Sequence, residues 1–325
     1  MDFMMNILYA IAKIRCPFLD FFFGLVTKLG EETFFLVFAI LFFWCINKRT
    51  GIYVLISGLS TTVASQWLKI GCKLPRPFAY DTSFTPVEGS IENAGGYSFP
   101  SGHTQTVTGT LVPFALKKRR RSVSIVVAVL ILLVGFSRLY LGVHTLCDVL
   151  VSLVLTTVIA ILLYPVFVSE ESYNKWMPYV IAVSMLASLG FLLYSFLINP
   201  DGVDGENLQN AQNNAAKLLG CTVAMLPVYL IDKYVSRFET KASWYVQIIK
   251  LAVGLGLVLL IKSGLSSPLK ALFGNESVAR GVRYFLLVLV AGGLYPISFK
   301  YLVKIKIPFL DRLPEKLKAV FKKHP

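Results

Sequence analysis

The sequence predicts an all-α, polytopic transmembrane helical bundle, on three observations. The chain of 325 residues is 55% hydrophobic, with a mean hydropathy of +0.66. Only 15% of its residues are charged, against roughly 25% in a soluble domain. Its apolar residues gather into runs close to the ~20 residues that cross a bilayer as one helix. The formal net charge is +14. Because the basic residues flank apolar runs, that charge points to anionic headgroups and topology control. Membrane lipids are the expected partners, and nucleic acid is not.

The elements follow in order. The first fifteen residues alternate apolar and polar and include Asp2, Lys13 and Arg15. They read as an amphipathic surface helix or a weak anchor, not as a cleavable leader. The stretch 17–29 is too short to span and carries Asp20 and Lys28. It is placed on or dipping into the membrane surface, with a tenth, tilted segment as the alternative. Nine apolar segments are drawn at about 32–47, 51–70, 103–116, 123–142, 145–166, 177–197, 214–232, 244–264 and 282–302. The third is short, holds Pro113 and several threonines, and suits a helix facing a polar pocket rather than lipid.

Loop charges give an orientation. Lys48-Arg49, the run Lys117 to Arg121, the group Lys233, Arg237 and Lys241, and the lysine-rich tail after 302 all fall on one side of a nine-span chain. The bias of basic loops toward the cytoplasm puts that side, with the C-terminus, inside the cell. The long loop 71–102 and the acidic loop 199–213 then face the other way. Five scattered cysteines, Cys16, Cys45, Cys72, Cys147 and Cys221, suggest neither a disulfide framework nor a metal site. Lys250 and Lys262 are expected to snorkel to the membrane surface.

Three short polar clusters interrupt this apolar chain. They are Lys69 with Arg76-Pro77, then Pro100-Ser101-Gly102-His103, then Ser137-Arg138 with His144 and Asp148. As patterns they read K-x6-RP, PSGH and SR-x5-H-x3-D. The chain holds only three histidines, and two lie here; the third, His324, sits in the basic tail and reads as solvated. In the nine-span order every one of these positions falls at the same, non-cytoplasmic face, as a site built from distant segments requires.

The set suits phosphate chemistry. His144 and Asp148 are four apart and share a face of a helix. The carboxylate would fix one ring nitrogen and leave the other free as a nucleophile toward phosphorus. His103 would protonate the leaving oxygen. Lys69, Arg76 and Arg138 would neutralise phosphoryl oxygens, where the transition-state charge spreads. Ser101 and Gly102 open a helix whose free N–H groups favour an anion. Limbs from the two histidines would give a bell-shaped pH profile.

The three patterns, in order and at these spacings, resemble the signature of the type 2 phosphatidic acid phosphatase (PAP2) superfamily, over roughly residues 30–165. That group includes glucose-6-phosphatase, sphingosine phosphate phosphatases, polyprenyl pyrophosphate phosphatases and soluble vanadium haloperoxidases. The resemblance implies His144 as nucleophile, Asp148 as its partner, His103 as general acid, and Lys69, Arg76, Ser101, Gly102 and Arg138 as the phosphate cradle. It implies no cofactor and no metal. Three parts are expected: 1–30 as amphipathic N-terminal surface helices, 31–168 as a PAP2-type catalytic transmembrane core, and 174–325 as further transmembrane helices ending in a basic cytoplasmic tail. For the last part the candidates are a lipid gate, a dimer interface or a transport-like bundle.

The expected function is therefore an integral membrane phosphatase that hydrolyses a lipid phosphate or pyrophosphate through a phosphohistidine at the non-cytoplasmic face. A polyprenyl pyrophosphate leads if the source is bacterial, with phosphatidate-type lipids beside it. The alternatives are a lipid phosphotransferase using the same site, a glucose-6-phosphatase-like sugar phosphatase, and a transporter or scaffold that kept the fold.

Overall fold

A computed structural model describes residues 1–91, 95–198 and 203–311 of the chain. Residues 92–94, residues 199–202 of the expected acidic loop, and the tail from 312 with His324 lie outside them. Everything regular in the described part is helical. The elements are α1 (Asp2–Ala12), α2 (Pro17–Val26), α3 (Glu32–Leu41), α4 (Lys48–Cys72), the single turn α5 (Pro77–Tyr80), α6 (Gly102–Lys118), α7 (Arg121–Tyr140) and α8 (Leu146–Leu163). They continue with α9 (Glu170–Leu197), α10 (Gly205–Ile231), α11 (Trp244–Leu259), α12 (Ser266–Phe273) and α13 (Glu276–Leu289).

Six helical stretches among the described residues are long and apolar enough to cross a membrane: Arg121–Tyr140, Leu146–Phe167, Glu170–Leu197, Gly205–Ser236, Trp244–Phe273 and Glu276–Leu302. A seventh is reached if Pro17–Gly30 and Glu32–Ile46, bent by 51° at their junction, count as one span. This count departs from the nine apolar segments of the sequence. Each expected segment does contain helix, but α4 and α6 fall below the apolar requirement. The reason is their polar content: Ser57, Thr61, Ser65, Thr104, Gln105, Thr108 and Thr110 are buried inside the bundle. There they meet one another instead of lipid, with Gln105 Nε2 donating to Thr61 Oγ1 at 2.9 Å. Gly109 lets α6 approach Gly58 on α4 and Thr156 on α8, the small-residue packing that membrane helices use. The stretch 17–29 is likewise one arm of a bent pair rather than an isolated surface segment.

The helix directions separate two ends. At one end Lys48 pairs with Asp232 at 2.5 Å, Arg49 with Glu170 at 3.0 Å, and Arg119 Nε donates to the Tyr164 hydroxyl at 2.9 Å. The basic loops are thus gathered there. At the other end lie the last turn of α4, the first turns of α6 and α8, and the last turn of α7. That end is covered by α1, whose Met5 and Leu8 are buried with Phe84, Leu139 and Val149.

The C-terminal helices pack closely on this core. α10 and α13 cross at Gly220, where an added Cβ would run into the Gly281 carbonyl. α3 is tied to them at both ends. Glu32 meets Lys217 at 2.5 Å and Lys262 at 3.4 Å, and fully buried Trp44 donates to the Ala291 carbonyl at 3.1 Å. Lys262 therefore pairs within the protein rather than snorkelling. Lys250 is also fully buried, with its ammonium 4.7 Å from the centre of the Phe299 ring and 3.4 Å from the Thr240 carbonyl.

Candidate active site

The chain changes direction twice at the covered end, and both turns are cut by the polar clusters. α4 ends at Cys72 because Lys73 takes a left-handed conformation, φ 51°, and its N–H closes on the Lys69 carbonyl. α6 starts at Gly102 with Ser101 as its N-cap. Between α7 and α8 five residues make the turn, with Gly142 at φ +79° pressed against Arg15 and Phe84. A side chain at 142 would be strained by backbone and clash at once.

Asp148 is the hub of that second turn. The structure corrects the expectation that His144 and Asp148 share one helix. α8 begins at Leu146, Thr145 is its N-cap, and His144 lies just outside. Asp148 Oδ2 accepts from the Thr145 N–H at 2.7 Å, and Thr145 Oγ1 accepts from the Asp148 N–H at 3.3 Å. This reciprocal capping box leaves the same carboxylate oxygen facing the histidine. His144 Nδ1 stands 3.5 Å from Asp148 Oδ2. A residue that the sequence reading missed closes the gap. Ser98 Oγ donates to Asp148 Oδ2 at 2.6 Å and lies 3.3 Å from His144 Nδ1. Its only sequence signal is a position two residues before Pro100.

The cations are held in an unusual manner. Arg76 donates to the carbonyls of Gly96 (3.0 Å), Gly95 (2.8 Å) and Val143 (3.0 Å). Its Nη1 also sits 3.3 Å from His144 Nε2. Because a guanidinium only donates, Nε2 must accept, and the ring proton falls on Nδ1, toward Ser98 and Asp148. Lys69 Nζ donates to the Tyr97 carbonyl at 2.8 Å, and Arg138 Nη1 to Thr27 Oγ1 at 2.6 Å. Arg138 Nε is buried without a partner among the described residues. Among the described residues no ion pair joins any of the three to a carboxylate; backbone carbonyls and one hydroxyl fix their geometry instead.

His103 lies in the first turn of α6, close enough to Arg138, Arg76 and Lys69 to feel their charge. Its Cβ packs on Gly30, where a side chain would have no room. Ser101 is fully buried; its N–H donates to the Asp148 carbonyl at 3.1 Å, and its Oγ accepts from Thr104. The N–H groups of Gly102 and His103 belong to the free first turn of the helix. All eight residues singled out in the sequence therefore stand at one end of the bundle, with Ser98 added.

Electrostatics acts most clearly on the two loop residues. Burial pulls the His144 imidazole well below the ordinary histidine range. The hydrogen bond that the ring donates to Asp148 works against this, and the charges of Arg76 and Arg138 reinforce it. Burial also lowers the Arg76 guanidinium, to about 10, with Asp148 opposing. Arg76 stays charged and His144 stays neutral near neutral pH.

Comparison with known proteins fits this geometry. Residues 49–171 match the PAP2 superfamily, and residues 215–306 match the transmembrane extension of PAP2 superfamily phosphatases. The chain is 24% identical to sphingosine-1-phosphate phosphatase 1 of Rattus norvegicus over 65% of its own length and 48% of that protein's. It is 34% identical to the undecaprenyl-diphosphatase BcrC of Bacillus subtilis (strain 168), over 36% of this chain and 58% of that one. A crystal structure of the first transmembrane PAP2 type phosphatidylglycerolphosphate phosphatase from Bacillus subtilis is similar with a TM-score of 0.42 at 28% identity, covering 50% of this chain and 83% of that one. The chain spans about half the length of the first of these relatives. With six or seven candidate spans among its described residues, the chain is a multi-pass integral membrane protein and belongs to the PAP2 superfamily, with the transmembrane extension of that superfamily's phosphatases in its C-terminal part.

Proposed function

We propose that the protein hydrolyses a lipid phosphate or pyrophosphate through a phosphohistidine on His144. The observation that carries this reading is the set of three cations, Lys69, Arg76 and Arg138, fixed by carbonyl and hydroxyl oxygens at the same end of the bundle as a buried neutral histidine whose Nε2 lone pair faces Arg76. Uncompensated buried cations are costly. A phosphoryl group supplies the missing negative charge and places phosphorus beside Nε2.

In the first step the Nε2 lone pair attacks phosphorus and the bond from phosphorus to the leaving oxygen breaks. His103, protonated once the bound phosphate offsets the charges of Arg138, Arg76 and Lys69 beside it, gives that oxygen its proton. As Nε2 becomes bonded, the ring gains positive charge, which Asp148 offsets through the Nδ1 proton. In the second step water attacks phosphorus, gives a proton to His103, and the P–N bond breaks. Lys69, Arg76 and Arg138 hold the equatorial oxygens, with the Gly102 and His103 N–H groups, throughout. The basic loops gathered at the opposite end support a site that faces away from the cytoplasm. The substrates named for the relatives, sphingosine 1-phosphate and undecaprenyl diphosphate, support a lipid over a soluble sugar phosphate.

Phosphate release from purified protein tests the reading. A panel of a polyprenyl pyrophosphate, phosphatidate, a sphingoid phosphate and glucose 6-phosphate would be assayed beside His144→Ala. At least one lipid is expected to be turned over, with turnover abolished by the substitution. Equal release by the variant would remove His144 from the mechanism.

Ser98→Ala should lower kcat by about 10- to 100-fold, the effect of losing one hydrogen bond to a charged group, about 1.5–3 kcal/mol. KM should change little, since Ser98 touches the Asp148–His144 pair and not the cradle. An unchanged kcat would show that Asp148 alone orients the ring.

The pH dependence follows from the lowered His144 value. The neutral nucleophile persists in the free enzyme below the ordinary histidine range, so the acid limb of kcat/KM should lie well under pH 6.5. The expectation of two limbs within the histidine range is thereby revised. Unfolded protein binds the proton more readily than folded protein, so stability should fall as pH drops below about 6.5. His144→Gln should flatten that part of the stability profile in a pH series of unfolding temperatures.

A further inference from the structure

The sequence reading left the C-terminal helices without a role, and it drew the seventh apolar segment from about 214. The helix in fact begins at Gly205, so residues taken for an acidic loop form the first turns of α10. Those turns are polar on one side. Asn207, Asn210, Asn214 and Lys217 follow at intervals of three, four and three, which places them along one face.

That face lies against the catalytic end. Positions 95 and 96, whose carbonyls hold Arg76, have the side chains of Asn210 and Asn207 as the neighbours nearest to any added Cβ, at 4.0 Å each. At the other end of the stripe Lys217 pairs with Glu32, two residues from the Gly30 that backs His103. Between these ends is a cavity of about 200 Å³. Its wall carries the amides of Gln66, Asn207, Asn210 and Asn214, together with Lys69 from the cradle. The side chains of Gln66, Asn210 and Asn214 are half-buried and make no hydrogen bond among the described residues. Lys69 is common to the cavity and the phosphate cradle, so a group joined to the phosphate through a few bonds reaches the amides.

Amides both donate and accept, and they carry no charge. They do not suit a second phosphate, which would call for further cations, nor a hydrocarbon, which would leave them unpartnered. They suit hydroxyl or amine groups. We propose that this cavity binds the alcohol side of the substrate, and that α10 selects phosphate esters bearing a hydroxyl or amine within a few bonds of phosphorus. The inference rests on the phosphatase reading and narrows it. A polyprenyl pyrophosphate offers no such group on its first carbons. The first helix of the C-terminal extension thereby becomes a specificity wall of the site.

The test compares two substrates with chains of equal length, a 2-amino-3-hydroxyalkyl phosphate and the plain alkyl phosphate, in mixed micelles with the full-length protein. Wild type should favour the first in kcat/KM by at least about 10-fold, the scale of one or two hydrogen bonds, and this comparison needs no variant. Asn210→Leu and Asn214→Leu should each shrink that ratio severalfold, a change that loss of folded protein cannot produce because both substrates share one enzyme sample. Asn210→Ser, smaller and still polar, should keep part of the preference. A wild-type ratio near one, with both substrates hydrolysed, overturns the inference and leaves the phosphatase standing. A preference that survives both leucine variants assigns it elsewhere and overturns the role of α10. Absence of release from either substrate and from every member of the lipid panel brings down the phosphatase reading, and this inference falls with it.

Discussion

The site depends on one constraint: three cations, Arg76 and Arg138 buried and Lys69 half-buried, stand at one end of the bundle with no ion pair to a carboxylate among the described residues. Lys69, Arg76 and Arg138 spend their hydrogen bonds on Tyr97, Gly95, Gly96, Val143 and Thr27. Those bonds hold the loops as firmly as they hold the charges. Arg76 alone bridges the loop before α6 and the turn before α8, which are distant in sequence and adjacent in space. Pairing the same cations with Asp or Glu would satisfy them and close the site to an anion. Backbone oxygens orient them and leave most of the charge for a ligand, since a carbonyl dipole only partly offsets a full charge.

His144, the proposed nucleophile, inherits its setting from that arrangement and from a helix cap. Asp148 caps α8 through Thr145 and, with the same oxygen, receives Ser98 and faces His144. Folding the start of α8 therefore builds the orienting group of the site without additional structure. Burial and the neighbouring guanidinium groups keep His144 neutral, which a nitrogen nucleophile needs. On the proposed mechanism one set of charges thus serves both to receive the phosphoryl group and to keep the attacking ring unprotonated.

Much of this was legible in the sequence, for a physical reason. Lys69, Arg76, His103, Arg138, His144 and Asp148 stand out because charge is expensive among apolar helices, and six charged or titratable groups at one end need a common purpose. What stayed hidden depends on tertiary folding. Ser98 is an ordinary serine until the loop brings it onto Asp148. Position 144 reads as helical because a period of four continues through a cap that sequence spacing does not resolve. α6, with Pro113 and its threonines, already read as facing a polar pocket, whereas α4 looked like an ordinary span, yet its Ser57, Thr61 and Ser65 are buried inside the bundle. The polar turns of α10 resemble a loop by composition, and only folding brings them over Gly95 and Gly96. Lys250 resembled a snorkelling residue because nothing local signals that Phe299 covers it.

The most direct test of the account is to catch the intermediate. Purified protein would be mixed with a 32P-labelled lipid phosphate that it turns over, quenched in alkali within milliseconds, digested and mapped. The account predicts acid-labile, alkali-stable label on the peptide that contains His144, appearing and decaying at rates that sustain turnover and absent from His144→Ala. Turnover by wild type with no label on that peptide, or with label on another residue, would contradict it.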